Sequence, residues 1–590
     1  MSRRACYPRP DFRRETWMSL NGAWRFSFGD EKKDRMDQPP TLSQMPLTIE
    51  VPYVYQCELS GIGQTEAHDV VWYGKTFRLP DCFDERTHLI FGAVDWHCDL
   101  FVNGRYAGSH DGGYTPFRTD ITPFLRADGE QELILRVEDT LRCDQLRGKQ
   151  SWEEEPSRCW YTPSTGIWQS VWLERVPDNP IQSIHITPNL PQSEIRCEIS
   201  LNKPPKKDGQ FKIDVQYQGH PVAALTCKTK QMNVDLSVPI QPEDYIDEIH
   251  YWTPEHPNLY DVTVSYASDG QTDQVFTYFG FRDVCTRDGK TLLNHRPIYQ
   301  RLILHQGYYD GGLLTADTDE RYRTDLQTIK DMGFNGVRMH QKIEDPLFYY
   351  WADKIGLLVW GELPSCYEFS ELAMRRSFES MREFIQRDYN HPSIVCWVPL
   401  NESWGVRNIE QNAAQQRYAV SLYHFIKAMD STRWVSTNDG WEQVTTDFCT
   451  LHDYSFDGKA LSSRWDDLDA LLQSAAQDRM IFASGYQYTG QPILLTEFGG
   501  VAFKTNQSEK DWGYCAIEKN EASYIRRLTS LFSYIKTNRR IQGYCYTQFT
   551  DVMQETNGLL SIRREPKIAI DVIRAILFGT DDSEPISPVP

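Results

Sequence analysis

Ile394-Val395-Cys396-Trp397-Val398-Pro399-Leu400-Asn401-Glu402 is an apolar run of strand length that closes on an amide and an acid. A second run of the same kind, Ile493-Leu494-Leu495-Thr496-Glu497-Phe498-Gly499-Gly500, closes on another acid. Short continuous apolar runs bounded by turn residues read as strands buried on both faces, as in a parallel sheet. Working outward, six more such runs lie at 301–308, 335–340, 357–362, 433–438, 447–452 and 541–548. Helical periodicity fills most of the gaps. In 318–332, Tyr322, Leu326, Ile329 and Met332 share one face, with Asp317 as the expected N-cap and Gly333 as the stop. Pro346 suits the first turn of a helix that passes Tyr350 and Ala352 and ends at Gly356. Eight strand–helix units predict a (β/α)8 TIM barrel over 284–590, with its active site at the C-terminal ends of the strands.

Upstream the pattern is all β. Over 1–177, aromatic and β-branched runs such as 23–28 and 71–77 alternate with turns, and Asn103-Gly104 suits a type I′ hairpin tip. These features predict a β-sandwich. Pro177-Asp178-Asn179-Pro180 marks a boundary. The stretch 178–283 has shorter strands, with alternation in 211–215 and 260–264, and suits an immunoglobulin-like sandwich. Lys203-Pro204-Pro205-Lys206-Lys207-Asp208 reads as a solvated loop.

Composition narrows the classes of partner. Lysine plus arginine number 62 against 82 acids, a formal charge of −20, so a polyphosphate backbone would be repelled and no nucleic-acid partner is expected. The first residues carry no apolar stretch behind their arginines, and no run reaches the length of a membrane span. The 14 cysteines are scattered singly without a C-x-x-C pair, which suits free thiols in a reducing cytoplasm. Seventeen tryptophans fill cores or stack on sugar rings, and composition does not separate the two uses.

The strand-end rule turns a long list of acids into a short one. Glu402 ends the fourth strand and Glu497 the seventh, so their carboxylates can face each other across the barrel mouth. Paired carboxylates are what glycosidic cleavage needs: one protonates the departing oxygen, the other meets the cation developing at the anomeric carbon. The alternative for each acid is a strand-end cap or an arginine pair.

At this point the residues resemble a known family. Arg387-Asp388-Tyr389-Asn390-His391-Pro392-Ser393-Ile394, running into Asn401-Glu402, is similar to the acid/base segment of glycoside hydrolase family 2, the β-galactosidases and β-glucuronidases. Leu495-Thr496-Glu497-Phe498-Gly499 resembles that family's nucleophile segment. Motifs in the N-terminal third, among them Phe101-Val102-Asn103-Gly104 and Gly166-Ile167-Trp168-Gln169, resemble its sugar-binding-like jelly roll. The resemblance implies a retaining exo-β-glycosidase, with Glu402 as acid/base, Glu497 as nucleophile and a carbohydrate as partner. It further implies that Asn401 binds the hydroxyl beside the anomeric carbon, that Arg338 supports the nucleophile, and that Tyr454 is held against it, an aromatic cap being the alternative for Tyr454. Tyr546 takes the place of a family tryptophan, where an aromatic platform is expected, and Trp404 would floor the leaving-group site. His391 is either a site residue or a buried support of the fourth strand.

The departures fall where the sugar is chosen. His340-Gln341-Lys342-Ile343 replaces the usual Ser-His-Tyr-Pro, and Gly361-Glu362 keeps one acid of a pair. The Asn-x-Lys clamp for a uronate is replaced by Glu555-Thr556-Asn557. His340, Lys342 and Glu362 are therefore candidate substrate contacts, Lys342 either binding a substrate carboxylate or pairing with Glu344 or Glu362. The missing clamp favours a neutral sugar such as β-galactose, and a β-uronide held by Lys342 is the alternative. A non-catalytic carbohydrate-binding protein is the rival from another class. Neither a cofactor nor a metal is expected, and the β domains offer surface for a homo-oligomer.

Overall fold

The computed structural model describes residues 4–29, 39–83, 85–127, 129–153, 155–240, 249–473, 479–503, 511–514 and 517–579. Met1–Arg3 and 580–590, at the outer ends of the first and third expected domains, lie outside the described residues.

Gly22–Phe28 buries Trp24 and Phe26 and exposes Arg25, the period of two that a sheet with one buried face imposes. It lies in a six-stranded antiparallel sheet between Leu47–Val51 and Val70–Arg78, continued by Glu130–Glu138, His97–Val102 and Arg105–Asp111. Trp17–Ser19, Val171–Val176, Arg86–Phe91 and Phe117–Asp120 form the facing sheet. Leu89, Phe91 and Leu173 meet Trp24, Tyr73 and Leu135 in one apolar core. Asn103 and Gly104 turn the expected hairpin at φ 53 and 75.

The second unit pairs a three-stranded sheet (Ile181–Asn189, Glu194–Leu201, Asn233–Pro239) with a four-stranded one (His220–Thr229, Gly209–Tyr217, Tyr260–Ser268, Gln271–Phe279). Its core joins Ile184, Ile199, Phe211, Ile213, Val262 and Val264. Buried Arg14 ties the first two units together, with Nη1 2.8 Å from Glu174 and Nη2 2.9 Å from Asp273.

Eight parallel strands follow: Gln300–His305, Gly336–Met339, Leu358–Glu362, Ile394–Val398, Trp434–Val435, Cys449–Asp453, Ile493–Gly499 and Ile541–Thr547. All eight expected strands are present. The ladder runs from the fifth back through the first to the eighth, seventh and sixth, and none joins fifth to sixth among the described residues. Two side-chain layers separate cleanly. Leu302, Leu304, Trp360, Val398, Leu494 and Cys545 share an inner core with Val284 and Leu293. Ile303, Val337, Val359, Trp397, Leu495 and Tyr546 pack outward with Leu326, Phe348, Phe384 and Leu531 of the helices.

The first barrel helix, Asp319–Asp331, departs from expectation at its start. Thr318 occupies the N-cap, while Asp317 binds Arg321 at 2.9 Å and so is not the cap. The next helix, Pro346–Ile355, is capped by Asp345, whose carboxylate accepts from the Leu347 amide, and stops at Gly356 with φ +82. No helix among the described residues is long and apolar enough to cross a membrane, and the described cysteines are free thiols.

Candidate active site

The seventh strand delivers its acid through a bulge. Leu494 faces inward and Leu495 outward, so plain alternation would send Glu497 out. The register slips instead: Leu451 pairs with Leu495 but His452 with Glu497, leaving Thr496 unpaired on that side. The extra residue re-aims Glu497 into the mouth and returns Phe498 to the outer layer. On the fourth strand the chain turns sharply after Asn401. Glu402 and Ser403 both adopt left-handed backbone, φ 51 and 58, fixed by the Glu402 amide donating to the Asp439 carbonyl at 2.9 Å.

Arg338, fully buried at the end of the second strand, organises the floor. Its Nη1 lies 2.6 Å from Glu497 Oε1, Nη2 is 2.7 Å from Asn401 Oδ1, and Nε is 2.9 Å from Glu362 Oε2. Asp439 adds a fourth partner, 3.2 Å from Nη1. Tyr454 donates its hydroxyl to Glu497 Oε2 and stacks on Tyr514, ring centroids 3.9 Å apart. Asn401 Nδ2 is buried with no hydrogen-bond partner among the described residues.

His452 joins the two acids. Its Nδ1 lies 2.7 Å from Glu402 Oε1 and 3.6 Å from Glu497 Oε2, and its Nε2 lies 3.0 Å from Asp439 Oδ2. Burial works against a charged imidazole here, but Glu497, Asp439 and Glu402 outweigh it and push the pKa up to about 10. One oxygen each of Glu402 and Glu497 and a nitrogen of His452 lie within 4.8 Å of one another. That spacing would suit a cation, and His452 already contacts Glu402 through Nδ1 and Asp439 through Nε2. Asp283, Cys285 and His295 form another trio, on and beside the short strands before the barrel.

The two acids sit in opposite electrostatic settings. Burial and the neighbouring Glu497 charge raise the Glu402 pKa, only partly offset by His452 and Lys149. Glu497 is buried too, but His452, Arg338 and the Tyr454 hydroxyl hold it below the usual carboxylate range. Glu402 also looks outward, its side chain 16% exposed against 3% for Glu497. Such a site can hold one carboxyl protonated and its neighbour ionised at the same pH.

Other expected residues divide. His340 approaches Glu362 at 3.2 Å, and burial and Arg338 hold it well below its ordinary pKa, hence neutral. Glu362 is pushed up to about 6, chiefly by burial, against the pull of Arg338. Trp404 stands at the mouth in an aromatic cluster with Tyr367 and Trp160, centroids 5.5 and 5.9 Å away.

Three expected substrate contacts lie elsewhere. Lys342 is buried and gives its ammonium to Glu344 at 2.6 Å and to the Gly307 and Leu314 carbonyls at 2.7 Å, so no donor remains for a substrate. His391 precedes the fourth strand, at the opposite end from Glu402, and binds Asp353 at 2.5 Å as a buried support. Tyr546 belongs to the outer layer, its ring 5.7 Å from Phe532, so it offers no platform to the mouth. Sequence reasoning passed over His452 and Asp439, though both fall at strand ends that the rule covers. It also passed over Lys149, and it met Glu555 only as standing where a uronate clamp would be; no sequence spacing connects the two.

A parallel barrel behind two β-sandwiches, with two carboxylates at its mouth, is the domain arrangement matched by the glycoside hydrolase family 2 models. The chain belongs to glycoside hydrolase family 2. The family's sugar binding domain matches residues 17–177, its central domain (Glycosyl hydrolases family 2) 179–282 and its TIM barrel domain 284–576. It is similar to a putative β-glucuronidase of Formosa agariphila, 29% identical over 350 residues, covering 58% of this chain and 40% of that protein. A β-galactosidase of Thermoanaerobacter pseudethanolicus is 28% identical over 396 residues, covering 65% of this chain and 50% of the relative. The chain thus spans half or less of the length of both. A solved β-galacturonidase from Eisenbergiella tayi, bound to glycerol, shares the fold with TM-score 0.74 and 20% identity, over 97% of this chain and 98% of that one.

Proposed function

We propose that the chain is a retaining exo-β-glycosidase that removes a terminal non-reducing sugar by double displacement, with Glu402 as acid/base and Glu497 as nucleophile. The observation that carries the reading is the closeness of the two carboxylates, whose nearest oxygens lie within 4.8 Å. The carboxyl groups of retaining pairs stand about 5–5.5 Å apart and those of inverting pairs about 6.5–9.5 Å apart to admit a water, so oxygens this close favour the retaining class.

The chemistry follows from the settings of the acids. Glu497, ionised between Arg338 and Tyr454, attacks the anomeric carbon as Glu402 passes its proton to the departing oxygen. The product of this step is a sugar esterified to Glu497. Glu402, now a carboxylate facing the imidazolium of His452, takes a proton from the water that releases the sugar. Asn401, its Oδ1 fixed by Arg338, is left with an Nδ2 free to bind the hydroxyl beside the anomeric carbon.

For the sugar, a neutral ring such as β-galactose is the reading favoured. The β-uronide alternative rested on Lys342, whose three donors are already taken. Hydrolysis of a nitrophenyl-glycoside panel tests the catalytic reading: Glu497→Gln should abolish activity toward whichever glycoside is cleaved, and full activity in that variant would overturn it.

A further inference from the structure

The mechanism above makes no use of Lys149, a buried cation. Lys149 comes from the loop between Glu130–Glu138 and Gly166–Ile167 of the first β domain, far in sequence from the barrel. The residue is 2% exposed, and its ammonium has the Cys159 thiol beside it but no oxygen or nitrogen partner among the described residues. Aromatic faces flank it, Trp404 at 5.3 Å and Tyr161 at 5.7 Å from Nζ to the ring centroid. Rings attract the charge but accept none of its three N–H groups as an oxygen would.

Beside it stands an acid from the other end of the chain. Glu555, fully buried after the eighth strand, accepts from the Tyr161 hydroxyl at 2.5 Å on Oε2 and from Asn557 Nδ2 at 3.1 Å on Oε1. Tyr161 is itself locked to the lysine segment, its amide donating to the Lys149 carbonyl at 2.8 Å. The first domain and the barrel therefore bring a lysine and a carboxylate acceptor together around Tyr161, with the lysine also against Trp404, two residues past Glu402. Charges around Lys149 agree with that placement: burial opposes its protonation, but Cys159, Glu555, Glu497 and Glu402 keep it charged.

Resting on the glycosidase reading above, we infer that Lys149 and Glu555 form a donor–acceptor pair that reads hydroxyl groups of a neutral sugar, which makes the substrate a neutral β-glycoside and not a uronide. A bound carboxylate needs cationic donors of its own. Arg338 is engaged by Glu362, Glu497, Asn401 and Asp439, and His452 by Glu402 and Asp439. Lys149 alone among these three cations has donors to give, and a carboxylate there would lie beside Glu555 and Glu497, like charges in a poorly screened pocket. A hydroxyl accepts from the lysine and donates to the glutamate without adding charge.

The test measures kcat/KM for wild type, Lys149→Met and Glu555→Gln on nitrophenyl β-glycosides of galactose, glucose, xylose, glucuronic acid and galacturonic acid. A monodeoxy series of the best neutral substrate completes the set. Wild type should prefer a neutral sugar over its uronide by at least about 100-fold, and each variant should lose about 10–100-fold on that neutral sugar. One monodeoxy analogue should erase the difference between wild type and Lys149→Met, a result that a merely structural lysine would not give. Wild-type preference for a uronide, turnover of none of the neutral sugars, or an equal loss in Lys149→Met across every monodeoxy analogue would overturn the inference. If uronides are preferred while a 2-fluoro glycoside still labels Glu497, the glycosidase reading stands without it. Full turnover by Glu497→Gln would remove that reading itself.

Discussion

His452 Nδ1 lies 2.7 Å from Glu402 Oε1, and the same ring nitrogen reaches Glu497 Oε2 at 3.6 Å. One cation thus biases both carboxylates at once. It lowers the pKa of Glu402 and that of Glu497 alike against burial.

Replacing that cation by a neutral amide, His452→Asn, should move both limbs of the kcat/KM profile to higher pH. Without a positive neighbour each carboxyl holds its proton longer, so Glu497 ionises later and Glu402 deprotonates later. The variant should also lose about 100-fold in kcat through misplacement of Glu402. Limbs that stay fixed would show that the imidazole is uncharged in solution.

Tyr454→Phe separates the two acids. Of the two acids the hydroxyl donates to Glu497, so its loss should raise the acidic limb and leave the basic limb in place. A pH–rate profile with both limbs displaced would contradict this division.

Asn401→Ala should lower kcat by about 100-fold or more while changing KM little, because a contact that strengthens in the transition state is lost. The loss should vanish with a substrate lacking the hydroxyl beside the anomeric carbon. An equal loss on that deoxy substrate would mean that Asn401 acts only by holding Arg338.

Much of this was legible in the sequence, for physical reasons that also explain the failures. Barrel strands are buried on both faces, so Ile394–Val398 and its counterparts stand out as apolar runs, and their ends expose Glu402 and Glu497. The same two-sided burial hides facing. Tyr544, Cys545 and Tyr546 are all buried, and nothing in their order says that the tyrosines look outward. Lys342 was legible as a cation near acids, but three short bonds, two of them to carbonyls, decide its use. Lys149 and Glu555 meet only because separate domains fold against one another, and spacing in the chain carries no trace of that.

A structural pair gives a stability prediction. Asp430 is buried with Arg433 Nη1 at 2.7 Å and Trp397 Nε1 at 2.8 Å. Burial raises its pKa, but these partners outweigh it and hold the carboxyl at about 2, against 3.8 unperturbed. A depressed folded pKa stabilises above the unfolded value and is lost as pH falls through the folded one, here a contribution of about 2 kcal/mol. The difference in barrel unfolding free energy between wild type and Asp430→Asn should therefore shrink steadily from pH 5 toward pH 2. A difference independent of pH in that window would show the pair to be unimportant to folding.

The most direct measurement is chemical trapping. A 2-fluoro β-glycoside of a cleaved sugar slows release of the ester, and mass spectrometry of the digested protein locates the label. The account predicts one sugar per chain, on the peptide carrying Glu497, with none on Glu497→Gln. A label on another residue, or turnover without any covalent intermediate, would contradict it.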